Sequence, residues 1–201
     1  MSDGLREVKR QRTRQALIGA AIRLFGEKGY EQTTVAEIAA AAEVSTKTFF
    51  NYFTSKDEVL FPHLAGRIAA AVDVIAGRRP DDDMADVLVR AMDHMLADAI
   101  KDELEGGLAA LRLPMIMSVP EVQAATLHRY FVAETQLAEA LQRAYPEVVD
   151  PPAAAAVIGA LMGAPLAAAL VCLQRGDSVD QVRAAAQRAI GIALEGLRDV
   201  R

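Results

Sequence analysis

The sequence has 201 residues, of which 52% are hydrophobic and 5% aromatic, and it contains no Trp. The frequent residues Ala, Leu, Glu, Arg and Gln favour helices, and the small share of β-branched and aromatic residues argues against a mainly β protein. The single cysteine, Cys172, excludes an intrachain disulfide. With no apolar signal segment at the polar N-terminus, we expect an all-α protein of the cytoplasm.

Charge is distributed unevenly along the chain. The net charge is −5, but residues 1–60 hold nine Lys or Arg and eight Asp or Glu, whereas residues 61–201 hold thirteen and nineteen. Five basic residues lie between Arg6 and Arg14, against the single acid Glu7. This pattern indicates that only the N-terminal part meets a polyanion, although a solvated N-terminus explains the basic run equally well.

Apolar periodicity and capping signals predict about nine helices. They cover residues 7–28, 35–42, 45–53, 56–76, 84–103, 108–112, 120–145, 151–175 and 179–198. Capping boxes are predicted for Thr34 with Glu37, Ser55 with Glu58, and Ser178 with Gln181. The sixth helix is expected to end before Pro114, and Pro120 and Pro151 are expected in the first turns of the seventh and eighth.

The second and third predicted helices are short and joined by a tight turn. In the third, Phe49 and Phe53 are spaced i, i+4 and are expected to be buried, with Val44, against the first two helices. The opposite face carries Lys47 and Asn51, which suit guanine and adenine edges in the major groove. A packed αα-hairpin without DNA is the alternative interpretation.

The predicted DNA contacts extend to both sides of this helix. Hydroxyl and ammonium groups next to it, and the basic first helix, are candidates for phosphate contacts. The predicted set is Arg10, Arg12, Thr34, Ser45, Thr46, Lys47, Thr48, Phe50, Asn51, Tyr52 and Lys56.

Residues 12–60 resemble the DNA-binding domain of the TetR (tetracycline-repressor-like) family of bacterial regulators. The order and spacing of the following residues carry the resemblance: Ala21, Leu24, Phe25, Gly29, Tyr30, Thr33, Thr34, Ile38, Ala39, Ala42, Val44, Ser45, Thr48, Phe49, Tyr52, Phe53, Lys56 and Leu60. The resemblance implies an all-α homodimer that binds a palindromic DNA operator and usually represses transcription. It also implies a C-terminal domain that responds to a small effector. The remaining chain matches the family only in helix number and length.

Three positions depart from the family pattern. Glu43 stands in the turn where the family usually has Gly, so we expect a different turn or a small strain there. Lys47 replaces a common Gly and adds positive charge to the DNA face. Phe50 replaces a common Tyr, and we hypothesise that its ring packs on a thymine methyl group.

The predicted domains are a DNA-binding domain at residues 1–54 and a regulatory and dimerisation domain at residues 55–201. Residues 151–174 carry no charge and are long enough to span a membrane, but Pro165 interrupts them and Ala is abundant. We therefore favour a homodimer through the eighth and ninth helices, which form a four-helix bundle, and no membrane contact. The predicted dimer residues are Gly159, Met162, Gly163, Leu166, Ala189 and Ile192.

The C-terminal part is also where an effector pocket is expected. Met is adaptable and common in apolar sites, although each Met also serves as ordinary core. The candidate pocket residues are Met92, Met95, Met115, His128 and Phe131. No metal-ligand spacing, cofactor motif or nucleophile–base arrangement is evident, so we expect no metal, no cofactor and no enzyme. A DNA-binding regulator without small-molecule input, and a helical protein-interaction module, remain as alternatives.

Overall fold

The structure, a computed structural model, describes residues 2–105 and 108–197. Within these ranges the chain forms nine α-helices, one 3₁₀ helix and no strand, so the predicted all-α class is confirmed. The α-helices are α1 (Ser2–Lys28), α2 (Val35–Ala41), α3 (Thr46–Phe50), α4 (Leu64–Ala76), α5 (Met84–Glu105), α6 (Leu108–Ser118), α7 (Pro120–Ala144), α8 (Pro151–Gln174) and α9 (Val179–Leu197), and the 3₁₀ helix is Asp57–Leu60. The predicted end of the ninth helix, Arg198, lies outside the described residues.

The chain divides into two compact units, and the first contains residues 1–62 and 103–126. Its core forms where the apolar face of α1 meets α2 and α3, and Leu17, Ala21, Ile38 and Phe49 are fully buried there. Within a helix the buried side chains are spaced so that they lie on one face, as Leu17 and Ala21 do in α1. This is the face that each helix removes from water. The remaining buried residues of this unit include Phe25, Tyr30, Phe53, Val59, Leu60, Met115 and Val122.

The predicted fourth helix begins later than expected. Glu58 accepts a hydrogen bond from the hydroxyl of Thr54 at 2.7 Å, so the predicted box with Ser55 is wrong. Only a 3₁₀ turn follows, and α4 begins at Leu64. The reason is Pro62, which lacks an amide hydrogen and disfavours helical backbone at Phe61, where φ is −127° and ψ is 48°.

Two other helix ends also differ from prediction. The third helix is shorter than predicted, because after Phe50 the backbone amides of Asn51 and Tyr52 bond three residues back in a tightened turn. The sixth helix does not end before Pro114 but continues through it to Ser118. Met115 is buried just beyond the proline, and such tertiary packing can override the local cost of proline.

The second unit contains residues 63–102 and 127–201. Its core combines fully buried residues of α4, α5, α7 and α8, among them Ile75, Leu88, Leu141 and Ile158. Arg78 makes two contacts within this unit. Its Nε donates to the carbonyl oxygen of Ala144 at 2.7 Å, and its guanidinium lies 4.2 Å from the ring centre of Tyr145. These contacts tie the loop after α4 to the end of α7.

The eighth helix leaves a long apolar surface within one chain. Residues Pro151–Cys172 are long and apolar enough to cross a membrane by length and composition alone, with a mean hydropathy of 2.2. Only 17% of this stretch is buried, and Leu166 and Val171 are about half exposed. Helix α9 packs along α8, and its Ile192 is 70% exposed. The two helices therefore present apolar side chains that one chain does not cover.

Candidate nucleic-acid interface

The second helix begins with a complete capping box. The side chain of Thr34 accepts from the backbone amide of Glu37 at 3.2 Å, and the Glu37 carboxylate accepts from the Thr34 amide and hydroxyl, each at 2.8 Å. Lys28, in the last turn of α1, donates to the same carboxylate. These hydrogen bonds, that of Lys28 first, lower the pKa of Glu37 from 4.5 to about 2. The box fixes the start of α2 against the end of α1.

The turn from α2 to α3 is a Schellman motif with a glutamate at its left-handed position. The backbone amide of Val44 donates to the carbonyl oxygen of Ala39 at 2.9 Å, and that of Glu43 donates to Ala40 at 3.0 Å. Glu43 has φ of 57°, the only positive value at a non-glycine residue in the described chain. Gly is usual at this position, because a Cβ there crowds the following carbonyl. The predicted strain at Glu43 is therefore present.

The third helix is capped at one end and buried on one face. The Ser45 hydroxyl accepts from the backbone amide of Thr48 at 3.0 Å. Phe49 and Phe53 are 0% and 1% exposed, with ring centres 5.5 Å apart, so their predicted burial is confirmed. Val44, also predicted to be buried, is half-buried.

The opposite face of α3 is open to solvent. Thr46, Lys47 and Asn51 are exposed, and so is the ring of Phe50, which is 52% exposed and meets Phe49 edge-on. A cation, an amide, a hydroxyl and an aromatic ring thus share one surface of about one helical turn. This set of donors, acceptors and apolar surface matches the base edges of the major groove.

The residues predicted beside this face are placed in three ways. Arg10 and Arg12 are exposed on α1, which extends without interruption from Ser2. Thr48, within α3, and Tyr52, just after it, are half-buried. The Lys56 ammonium donates to the carbonyl oxygen of Tyr30 at 2.9 Å and lies 3.9 Å from that ring's centre. The Thr34 hydroxyl and the Lys56 ammonium therefore already take part in contacts inside the unit.

Sequence reasoning missed two arginines that hold the segment after α3. Arg14 donates to the carbonyl oxygen of Pro62 and lies over the Phe53 ring at 5.2 Å. Arg112 donates to the carbonyl oxygen of Leu60 at 3.3 Å and lies 5.6 Å from the ring centre of Phe61. Arg14 occupies the position three residues before buried Leu17 on the core-facing side of α1, which is the one signal that could have identified it.

Comparison with known proteins places this geometry in a family. The model of the family "Bacterial regulatory proteins, tetR family" matches residues 17–61. The HTH-type transcriptional regulator TcmR of Streptomyces glaucescens is 36% identical over 138 residues, which are 67% of this chain and 61% of that protein. The chain belongs to the TetR family. It spans less than two thirds of the length of TcmR.

Two solved structures share the fold at low sequence identity. The SmeT–triclosan complex has a TM-score of 0.62 at 16% identity and covers 92% of this chain and 90% of that one. Native NalD, the secondary repressor of the MexAB-OprM multidrug efflux pump in Pseudomonas aeruginosa, has a TM-score of 0.57 at 19% identity, with 93% and 97% covered. The expectation that the chain is no enzyme agrees with membership in a family of regulators.

The other predicted site residues of this TetR-family chain lie in different surroundings. Met92 and Met95 belong to or pack against the core of the second unit, where His128 and Phe131 are exposed, whereas Met115 is buried in the first unit. Of the predicted dimer residues, Leu166 and Ile192 are exposed, Ala189 is buried, and Gly159, Met162 and Gly163 are half-buried. Among the described residues, no three His, Cys, Asp or Glu side chains are arranged to hold a metal ion.

We expect Glu43→Gly to raise the free energy of unfolding by about 1 kcal/mol, because Gly relieves the contact of the Cβ in the left-handed region. Denaturant titration monitored by circular dichroism measures this change. Glu43→Ala is the matched control, since it removes the carboxylate but keeps the Cβ, and we expect no comparable gain. Equal stabilisation by both variants would contradict the strain at this turn.

The capping box also predicts how stability depends on pH. Since the folded-state pKa of Glu37, about 2, lies below its ordinary value of 4.5, its stabilisation is complete above about pH 5 and is lost as the pH falls towards 2. The free energy of unfolding should fall more steeply over this interval in the wild type than in Glu37→Gln. Glu31→Gln, which removes an exposed carboxylate outside the box, should retain the wild-type slope. Parallel curves for the wild type and Glu37→Gln would exclude this role.

Proposed function

We propose that the chain is a sequence-specific, homodimeric DNA-binding regulator of transcription that acts in the cytoplasm. The observation that supports this most directly is the exposed row of Thr46, Lys47, Phe50 and Asn51 on a helix whose other face is fully buried. A fixed short helix with such a row can enter the major groove while its neighbours contact phosphates. Within this proposal, residues 1–54 bind DNA and residues 55–201 regulate and dimerise.

Base recognition is assigned to the middle of α3. The Lys47 ammonium suits guanine O6 and N7, and the Asn51 amide suits adenine N6 and N7. The exposed Phe50 ring is placed to pack on a thymine methyl group. Phosphate contacts are proposed for Thr34, Ser45, Thr48, Tyr52 and Lys56 and for the α1 residues Arg10 and Arg12, so these side chains contribute affinity and Lys47, Phe50 and Asn51 contribute sequence preference.

A dimer is needed because one such helix reads too few base pairs for a tight specific site. Two copies related by a twofold axis read a palindrome whose half-sites lie about 34–36 Å apart. The apolar surface of α8 and α9, with Leu166 and Ile192 at its exposed points, supports a four-helix bundle between two chains. Met162 and Ala189 are proposed to border this surface, whereas Gly159 and Gly163, which the sequence also suggested for the interface, lie against Glu134 and Tyr130 of the same chain.

We further infer that the regulator is a repressor released from its operator by a small, largely apolar effector. The pocket is proposed within the second unit, around Met92, Met95, His128 and Phe131, whereas Met115, which the sequence also suggested, is buried in the first unit. A complex of the structural relative SmeT with triclosan supports an effector of this kind. Such an effector shifts the DNA-binding equilibrium only by as much as it prefers the state that does not bind DNA.

Fluorescence anisotropy with DNA from the promoter of the chain's own gene tests base recognition. We expect Lys47→Gln to weaken specific binding roughly tenfold or more, since a good base contact contributes about 1–3 kcal/mol. Arg23→Gln is the charge-matched control, because Arg23 is exposed on α1 outside the proposed interface. Equal losses of affinity in the two variants would show that Lys47 contributes only nonspecific charge. Unchanged DNA binding by Lys47→Gln and Asn51→Ala would favour a protein-interaction module.

The same assay isolates the contact of Phe50 with a methyl group. Each thymine of a half-site is replaced in turn by deoxyuridine, which lacks only the methyl. One replacement should weaken wild-type binding about fourfold, the value of one buried methyl group, and should leave Phe50→Ala unaffected. If the two proteins lose the same affinity at every position, Phe50 does not read a methyl group.

The dimer is tested by placing a charge on its most exposed apolar residue. Ile192→Lys should give a monomer in sedimentation analysis while its melting as a folded chain persists, because Ile192 is 70% exposed within one chain. Val148→Lys is the control, since Val148 is 65% exposed in the loop before α8. A dimeric Ile192→Lys variant would move the interface away from α9.

A further inference from the structure

Helices α7 and α8 run antiparallel, with Glu134 and Tyr130 of α7 against Gly159 and Gly163 of α8. A Cβ at Gly159 would lie 2.9 Å from Oε1 of Glu134, and one at Gly163 would lie 3.5 Å from the hydroxyl oxygen of Tyr130. Gly159 therefore makes room for the carboxylate of Glu134, whereas the separation at Gly163 is an ordinary contact distance. One turn further along, Ala138 and Ala155 continue the same register.

A groove lies between α7 and α8 at Ala138 and Ala155. It has a volume of about 510 Å³, and Phe131, Ala138 and Ala155 contribute apolar surface to it. The Phe131 ring is 56% exposed, so it presents a face to the groove that the chain itself does not cover. The volume lies in the range of small-molecule sites, about 300–1,000 Å³.

The groove has one uncompensated charge. Glu139, on its wall, is paired with Arg143 at 3.6 Å. Among the residues that the structure describes, no Lys or Arg forms an ion pair with Glu134, which is half-buried beside the groove's apolar wall. Burial first, and then the negative charge of Glu134, raise the pKa of the neighbouring Tyr130.

We propose that this groove binds an amphipathic organic cation, with its ammonium group at Glu134 and its apolar part over Phe131, Ala138 and Ala155. A neutral apolar ligand would cover the carboxylate without pairing it, which is costly, whereas an ammonium group provides both a charge and hydrogen-bond donors. The exposed aromatic face adds an attraction for the cation. Of the residues proposed for the effector pocket, only Phe131 lines this groove, and the proposal does not rest on the DNA-binding function.

Isothermal titration calorimetry on the full-length protein tests the preference for a cation with 4-phenylbutylamine and its neutral counterpart 4-phenyl-1-butanol. We expect the protonated amine to bind at least about tenfold more tightly than the alcohol, as a charge-assisted hydrogen bond requires. Equal affinities, or no measurable binding of the amine, would overturn the proposal.

Two variants, each of which removes one negative charge, test whether the ammonium group binds at Glu134. Glu134→Gln should weaken binding of the amine about tenfold and leave the alcohol unchanged, whereas Glu121→Gln, at an exposed carboxylate in the first turn of α7, should change the affinity for the amine less than about threefold. Equal losses in both variants would reveal only a general effect of charge and would overturn the assignment to Glu134. Phe131→Ala should weaken both probes, and full retention of both would place the ligand elsewhere.

Discussion

A helix of five residues cannot persist alone, and the presentation of α3 depends on what surrounds it. One turn leaves most of its amides and carbonyls without partners inside the helix, so the stabilisation comes from outside. The Ser45 hydroxyl caps the first turn, and the fully buried rings of Phe49 and Phe53 fix the helix from below. Because these rings determine which side faces the core, they also determine that Lys47 and Asn51 face solvent.

The polar groups that hold this helix in place already make hydrogen bonds within the unit. The Thr34 hydroxyl donates to Glu37, and the Lys56 ammonium donates to the carbonyl oxygen of Tyr30 and lies over its ring. Any phosphate contact by Thr34 or Lys56 would have to share or replace these partners, at a cost in the stability of the unit. Sequence preference in the proposed complex therefore rests on α3, and its neighbours contribute mainly by positioning it.

The local parts of this arrangement could be predicted from the sequence, because their signals lie within one helical turn. The cap at Thr34 and the burial of Phe49 each follow from residues three or four positions apart, whereas the strain at Glu43 was expected from the family pattern, which usually has Gly there. Contacts across 48 and 52 residues, those of Arg14 with Pro62 and Arg112 with Leu60, left no such local signal. The chemistry of proline could have predicted the break at Pro62. The apparent capping box of Ser55 with Glu58 instead favoured a helix that begins before it.

Small residues in a helix predict a close neighbour without identifying it. The spacing of Gly159 and Gly163 pointed to a second chain, whereas within one chain these glycines already receive the side chains of Glu134 and Tyr130. Leu166, which is about half-exposed, lies on the same side of α8, one turn beyond Gly163, so this side passes from polar contacts with α7 to uncovered apolar surface. One uncharged helix can thus serve two purposes, since its glycines lie against polar groups of α7 and its exposed apolar side chains are open to the proposed contact with a second chain.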